Sequence, residues 1–207
     1  MVKKIGDIMI PVFIHFLAGN LVILFLGTYL DSAALTGITG IAVFPAIYWM
    51  YRKDEHKKRK ERQMCPWWSY PLAALLGIMA NQIISFLMNL FTITDSFSNE
   101  VQESLFQSNF MVQIICLGIV APVIEEMIFR GLVYRRLKKY LNTWAAILLG
   151  AFIFAAYHGN MLQMIFAFPM AIMIIWCYER WNSLTIPIVF HAAGNLSAVI
   201  LYQSMRL

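Results

Sequence analysis

The chain has 207 residues, of which 60% are hydrophobic and 13% charged, with a formal net charge of +5. That balance excludes an ordinary soluble domain, in which about half of the residues are apolar and about a quarter charged. Nor does the positive charge mark a nucleic-acid surface, because the basic residues stand in blocks between apolar runs.

Seven apolar segments are predicted as transmembrane helices, at residues 8–30, 35–51, 67–91, 110–134, 143–158, 161–178 and 183–202. Each comes near the roughly 20 residues that a helix needs to cross a hydrocarbon core of about 30 Å. The expected fold class is therefore all-α, a polytopic membrane bundle of about seven helices, with six to eight as the bounds. The first segment is too long for a signal-peptide core and lacks a clear cleavage site, so it reads as a retained anchor. Lys3 and Lys4 precede it, and the run RKDEHKKRKER at 52–62 separates the second segment from the third. Arg135, Arg136, Lys138 and Lys139 follow the fourth segment, and Arg180 lies between the sixth and seventh. Basic residues collect on the cytoplasmic side, which puts the N-terminus and the 52–62 loop inside and the C-terminus outside. Residues 92–109 carry Asp95, Glu100 and Glu103 with no Lys or Arg, as expected of an outside loop, while Arg206 alone runs against the pattern. Tyr48, Trp49, Tyr51, Trp67, Trp68 and Trp144 flank the basic stretches and are expected as interfacial anchors. Cys65, Cys116 and Cys177 have no CxxC spacing, which leaves them as unpaired thiols. Two parts are expected within a single membrane domain: N-terminal helices over 1–109 and a core over 110–202 that holds the chemistry.

Of the eleven acidic residues, only Glu125 and Glu126 fall inside an apolar run. Each costs at least a few kcal/mol at membrane depth if ionised and unpaired, so compensation is required. Arg130 stands four residues after Glu126, the spacing that lets the two meet on one helix face. Arg130 and Glu126 are accordingly expected to support the site, and Glu125, about 100° round the helix, to face another partner or a wet cavity. Counted at about 1.5 Å per residue from Arg135, Trp144 and Ser183, Glu125, His158, His191 and Asn195 all come to roughly 12–21 Å depth. His158 is followed by Gly159 and Asn160, which end a helix too short for a full span inside the membrane. His15, Asn20, Asn81, Gln82, Gln113 and Gln163 are expected to make interhelical hydrogen bonds.

Such a set supports hydrolysis in two ways. In one, Glu125 with His158 takes a proton from water, and His191 with Asn195 stabilises the oxyanion. In the other, Glu125, His158 and His191 are candidate ligands of a Zn2+ ion, with Glu126 or Asn195 assisting. There is no HExxH, no GxSxG elbow and no Cys beside a His, so compact zincin and common nucleophile arrangements are absent from the sequence.

The string EEMIFR at 125–130 resembles the EExxxR motif of the CAAX-processing and bacteriocin-processing (CPBP, or Abi) family of intramembrane proteases. FAAYH at 154–158 is similar to that family's FxxxH, and HAAGN at 191–195 to its HxxxN. The resemblance covers roughly 110–202. It implies that Glu125 is the catalytic carboxylate, that His158 is its partner, and that His191 and Asn195 form the second half of the site. It further implies a protein of the bacterial cell membrane acting on a membrane-anchored peptide or protein, whether CAAX-type or a bacteriocin-like peptide. The mechanism is either of the glutamate or of the zinc type, with the lipid bilayer as the surroundings and no nucleic acid involved. The rival is a non-catalytic immunity or partner-binding protein on the same fold; a proton-coupled transporter is third, without the repeats expected of one.

Overall fold

The structure, a computed structural model, describes residues 2–56, 65–97 and 100–205. Nine helices occur among them: α1 Val2–Leu26, α2 Ser32–His56, α3 Ser69–Leu90, α4 Ile93–Ser96, α5 Glu100–Phe106, α6 Phe110–Leu137, α7 Thr143–Tyr157, α8 Met161–Trp181 and α9 Thr185–Ser204. Six are long and apolar enough to cross a membrane, and α7 is a shorter apolar helix. At about 1.5 Å per residue, the 15 residues of α7 reach only about 22 Å. Six long apolar helices and a membrane-type core make this an integral membrane protein with an all-helical fold. No strand occurs among the described residues.

Helix α6 is central: half of its most apolar window is buried, against 11% for α1, whose Phe13, Leu24 and Phe25 face outward. In lipid such apolar outer surfaces need no protein cover, and burial falls to helix–helix contacts built on small residues. The pairing of α3 with α9 is the clearest instance. A Cβ on Gly77 of α3 would overlap the carbonyl of Phe190, and one on Gly194 of α9 would come within 3.2 Å of the Gly77 carbonyl. Gly77→Val should therefore push α9 away and lower thermal stability in detergent by about 1–3 kcal/mol, the usual cost of overpacking. Activity should fall with it, because His191 follows Phe190 directly. An unchanged unfolding temperature would show that this close approach does not hold α9 in place.

Two stretches of α6, Gln113–Val120 and Met127–Tyr134, are wound as π-helix. The Ala121 N–H, for example, donates to the carbonyl of Cys116, five residues back. Wide turns of this kind are rare and gather at functional sites. Here they flank the six-residue α-helical stretch Ala121–Glu126, which carries both buried carboxylates.

Ion pairs gather the basic segments at one end of the bundle. Arg136 Nε donates to Asp54 Oδ2 at 2.7 Å, a second Arg136 nitrogen donates to the Asp7 carbonyl, and Lys138 Nζ meets Glu179 Oε2 at 2.6 Å. These contacts correct the expected loop at 52–62. Its first residues continue α2 through His56, because Asp54 is docked on Arg136 and Tyr51 donates to Glu55 Oε1 at 3.0 Å. Residues 57–64 lie outside the described residues, as do Arg206 and the side chains of Lys3 and Lys4. Tyr51 is no interfacial anchor; it is buried, with the Arg135 guanidinium 5.7 Å from its ring centroid. Trp49, Trp67 and Trp144 are exposed as expected.

At the other end, the connection expected as an outside loop contains two short helices, α4 and α5. Ser108 Oγ donates to Asp31 Oδ1 at 2.7 Å, Gln113 Nε2 donates to the Phe106 and Ser108 carbonyls, and Phe106 stacks on Tyr202 with ring centroids 4.6 Å apart. Gln113 thus ties α6 to the end of α5 and to the turn between them, while Asn20 donates within its own helix to the Phe16 carbonyl. The three cysteines are free thiols.

Candidate active site

The site is built on α6, α7 and α9. Glu126 and Arg130 are among the most deeply buried side chains in the protein, at 0% and 1% exposure. Arg130 Nη1 donates to Glu126 Oε1 at 2.9 Å, the pairing that the four-residue spacing predicts. The remaining face of the guanidinium is covered by the Phe154 ring, 4.4 Å from its centre, where the π face offers the cation a second attraction. Phe154 also meets the rings of His158 and His191 edge-on, with centroids 5.0 and 5.9 Å away. One aromatic side chain thus locates the cation and both histidines.

The same Glu126 Oε1 is bonded to His191 Nδ1 at 2.8 Å. No local spacing signals this bond, since the two residues are 65 positions apart. A carboxylate can only accept, so Nδ1 carries the proton and Nε2 turns toward the cavity. Nε2 lies 3.8 Å from Glu125 Oε2, longer than a direct hydrogen bond. His191 therefore stands between two carboxylates, one gripping it and the other beside its free nitrogen. His158 Nδ1 points to the Phe154 carbonyl at 3.0 Å, an arrangement that leaves its Nε2 as a lone pair in the neutral ring. Asn195 Nδ2 donates to the Leu117 carbonyl at 3.0 Å, tying α9 to the first wide stretch of α6.

Glu125, His158, His191 and Asn195 line one cavity of about 430 Å³. The common depth read from helix counting is thus matched by a common cavity. Helix α7 ends just where His158 enters it. Gly159 takes φ +65°, a conformation that costs other residues about 1–2 kcal/mol, and Asn160 Oδ1 then caps α8 by accepting from Gln163 N at 3.2 Å. The neighbouring Tyr157 hydroxyl is hydrogen-bonded to His15 Nδ1, so α1 holds the end of α7 through the interhelical bond expected of His15.

The candidate zinc ligands were tested on this geometry. Among the described residues no three His, Cys, Asp or Glu side chains converge as a ligand set. The histidines do not decide this by themselves, since each bonds Nδ1 to an oxygen and leaves Nε2 free, as metal-ligating histidines also do; the convergence of a third ligand is what fails. The side chains as placed do not fit a three-ligand zinc site.

The cavity also shows what the sequence reading missed. Asn81, Ser85 and Asn89 of α3, Thr94 of α4, and Leu105 and Phe106 of α5 all line it. The N-terminal half had offered no motif, and Asn81 and Gln163 were expected to bond between helices; both instead face the cavity.

The sequence model of the family described as "Type II CAAX prenyl endopeptidase Rce1-like" matches residues 107–197. Residues 107–197, a little under half of the chain, are similar to that family. That match and the three CPBP motifs fall on the same residues, from Glu125 to Asn195. The chain is also similar to curated proteins. "Putative membrane peptidase YdiL" of Bacillus subtilis is 29% identical over 90 residues, 44% of this chain and 37% of that protein. Two proteins of Lactococcus lactis subsp. lactis follow. "UPF0177 protein YbdI" is 25% identical over 130 residues, 62% of this chain and 70% of that one, and "UPF0177 protein YaiF" is 29% identical over 110 residues, 52% and 49%. The chain therefore spans little more than a third of the length of the first of these relatives. No solved structure matches the chain.

Proposed function

We propose that the chain is an intramembrane peptidase that hydrolyses a membrane-anchored peptide or protein without a metal ion. The observation that carries this reading is Glu125: a carboxylate at the wall of a buried cavity, 3.8 Å from His191 Nε2 and free of the Arg130 bond that occupies its neighbour. Glu125 removes a proton from a water in the cavity, and the resulting hydroxide forms a C–O bond to the scissile carbonyl. His191 supports the developing oxyanion from Nε2 when its ring is protonated, with the free groups of the Asn195 amide alongside it. As the C–N bond breaks, the proton on Glu125 passes to the departing amine, with His158 as the relay within the same cavity. Glu126 and Arg130 touch no substrate; they fix the tautomer and direction of His191. The basic end is proposed to face the cytoplasm of a bacterial cell, which puts the C-terminal end of α9 outside.

The test is hydrolysis of peptides carrying an N-terminal acyl anchor, mixed into vesicles with the purified chain and read by mass spectrometry. Cleavage should persist at full rate in the presence of a strong chelator. Loss of activity with the chelator and its return with zinc would sink the metal-free mechanism, and the absence of any cleavage would sink the peptidase. A cysteine label placed beside Arg52 should react only from the inner side of intact cells; outer labelling would reverse the orientation.

A further inference from the structure

We infer that the cavity-facing polar row of α3, Asn81, Ser85 and Asn89, is a docking ladder for the backbone of an extended peptide; the inference rests on the peptidase reading. The three residues are spaced by four, so they share one helix face and climb it in steps of about 6 Å. In an extended strand, the backbone groups that point to one edge recur every two residues, about 6.6–6.8 Å apart. The two repeats nearly coincide over three rungs.

Two further observations point to a ligand. Asn81 is buried at 6% exposure, lines the cavity, and has no side-chain hydrogen bond to any described residue. An unpartnered amide inside a membrane helix costs several kcal/mol unless something in the cavity meets it. Asn89 Oδ1 is already engaged by Thr94 Oγ1 at 3.1 Å, which leaves its NH2 group to donate. The rungs are neutral and combine donors with acceptors, and Met88, Leu105, Leu162 and Phe166 add apolar wall to the same cavity. That combination suits a peptide whose backbone needs hydrogen bonds and whose side chains are apolar, and it offers nothing to a charged ligand.

The placement is equally specific. Helices α3 and α9 run the same way, since Cys65 before α3 reaches the Trp181 carbonyl before α9 while α4 and α5 adjoin their far ends. Gly77 touches Phe190, so Asn81 stands one turn further along, beside the level of His191 to Asn195. The ladder therefore starts at the reacting carboxylate and leads toward the end formed by residues 92–109. A substrate would lie along α3 with its scissile bond at the Asn81 level.

The experiment uses the full chain in vesicles, with Glu125→Gln to stop turnover, and a fluorescent acyl-anchored peptide as probe. A parallel set of the same peptide has its backbone N–H groups methylated one at a time. Methylation at alternate positions should weaken binding about fivefold to tenfold, the loss of one hydrogen bond. In Asn81→Leu and in Ser85→Ala the unmodified peptide should bind correspondingly less well, and methylation at the matching position should cost nothing more. With Glu125 restored, the Ser85→Ala chain should show the loss in KM with kcat nearly unchanged. Wild-type affinity in both ladder variants, or a methylation penalty undiminished in them, would overturn the ladder while hydrolysis by the unaltered chain left the peptidase intact. The converse, methylation-sensitive binding without any hydrolysis, would support the ladder and sink the peptidase.

Discussion

Glu125→Gln should abolish hydrolysis, with a rate loss of about a hundredfold to ten-thousandfold, and leave the protein as stable as before. The first half follows from its proposed place as the general base, whose removal typically costs that factor. The second follows from its surroundings. The Glu125 side chain retains 17% exposure at the cavity wall, and no hydrogen bond within the protein depends on it among the described residues. Glutamine is isosteric and neutral, so it relieves the desolvation of a charge and breaks no buried pair. Steady-state cleavage and thermal unfolding on the same preparation would check both halves. A variant that still turned over at a tenth of the original rate would remove Glu125 from the centre of the reaction.

Arg130→Ala, five residues away, should do the reverse and damage the protein itself. It strands the Glu126 carboxylate at 0% exposure, removes the cation from the Phe154 face, and leaves His191 as the carboxylate's only remaining donor among the described residues. Breaking a buried ion pair by removing one partner costs about 3–5 kcal/mol. Folded yield from the membrane should fall severely. Adding Glu126→Gln to Arg130→Ala should restore much of the yield, because the stranded charge is then gone, and the coupling between the two changes measures their pairing. Normal yield with lost activity in the single variant would place Arg130 among the groups that act on substrate.

How far the sequence carried these conclusions depends on the range of each interaction. Helix number and the Glu126–Arg130 pair were legible because hydropathy and a four-residue spacing are local properties of the chain. That Glu125, His158, His191 and Asn195 come to one cavity was legible too, because counting along the helices had set them at a common level. The bond from His191 to Glu126 was not, since it depends on how α9 is rotated against α6, and that rotation is set by Gly77 and Gly194 packing on α3. The wide turns of α6 were hidden for a related reason: GIVAPVIEEMIFRGL carries no composition that distinguishes i→i+5 from i→i+4 bonding. Asn81, Ser85 and Asn89 were visible as a spaced row only once the cavity showed which face of α3 mattered. The short helices within the 92–109 connection were not legible, because acidic, polar composition signals exposure and says little of contacts such as those at Ser108 and Phe106.

The shared oxygen of Glu126 has an electrical consequence. Arg130 cancels Glu126, so that pair contributes no net charge, and the proposed cycle passes one proton from water to Glu125 and on to the leaving amine within the one cavity. Carrying an elementary charge across the membrane is worth about 2.3 kcal/mol per 100 mV. A proton that is picked up and set down at one depth crosses none of that field. Catalysis on this arrangement is blind to the membrane voltage, so a collapsed potential would leave the rate where it was, whereas a proton-coupled transporter in the same helices would stall.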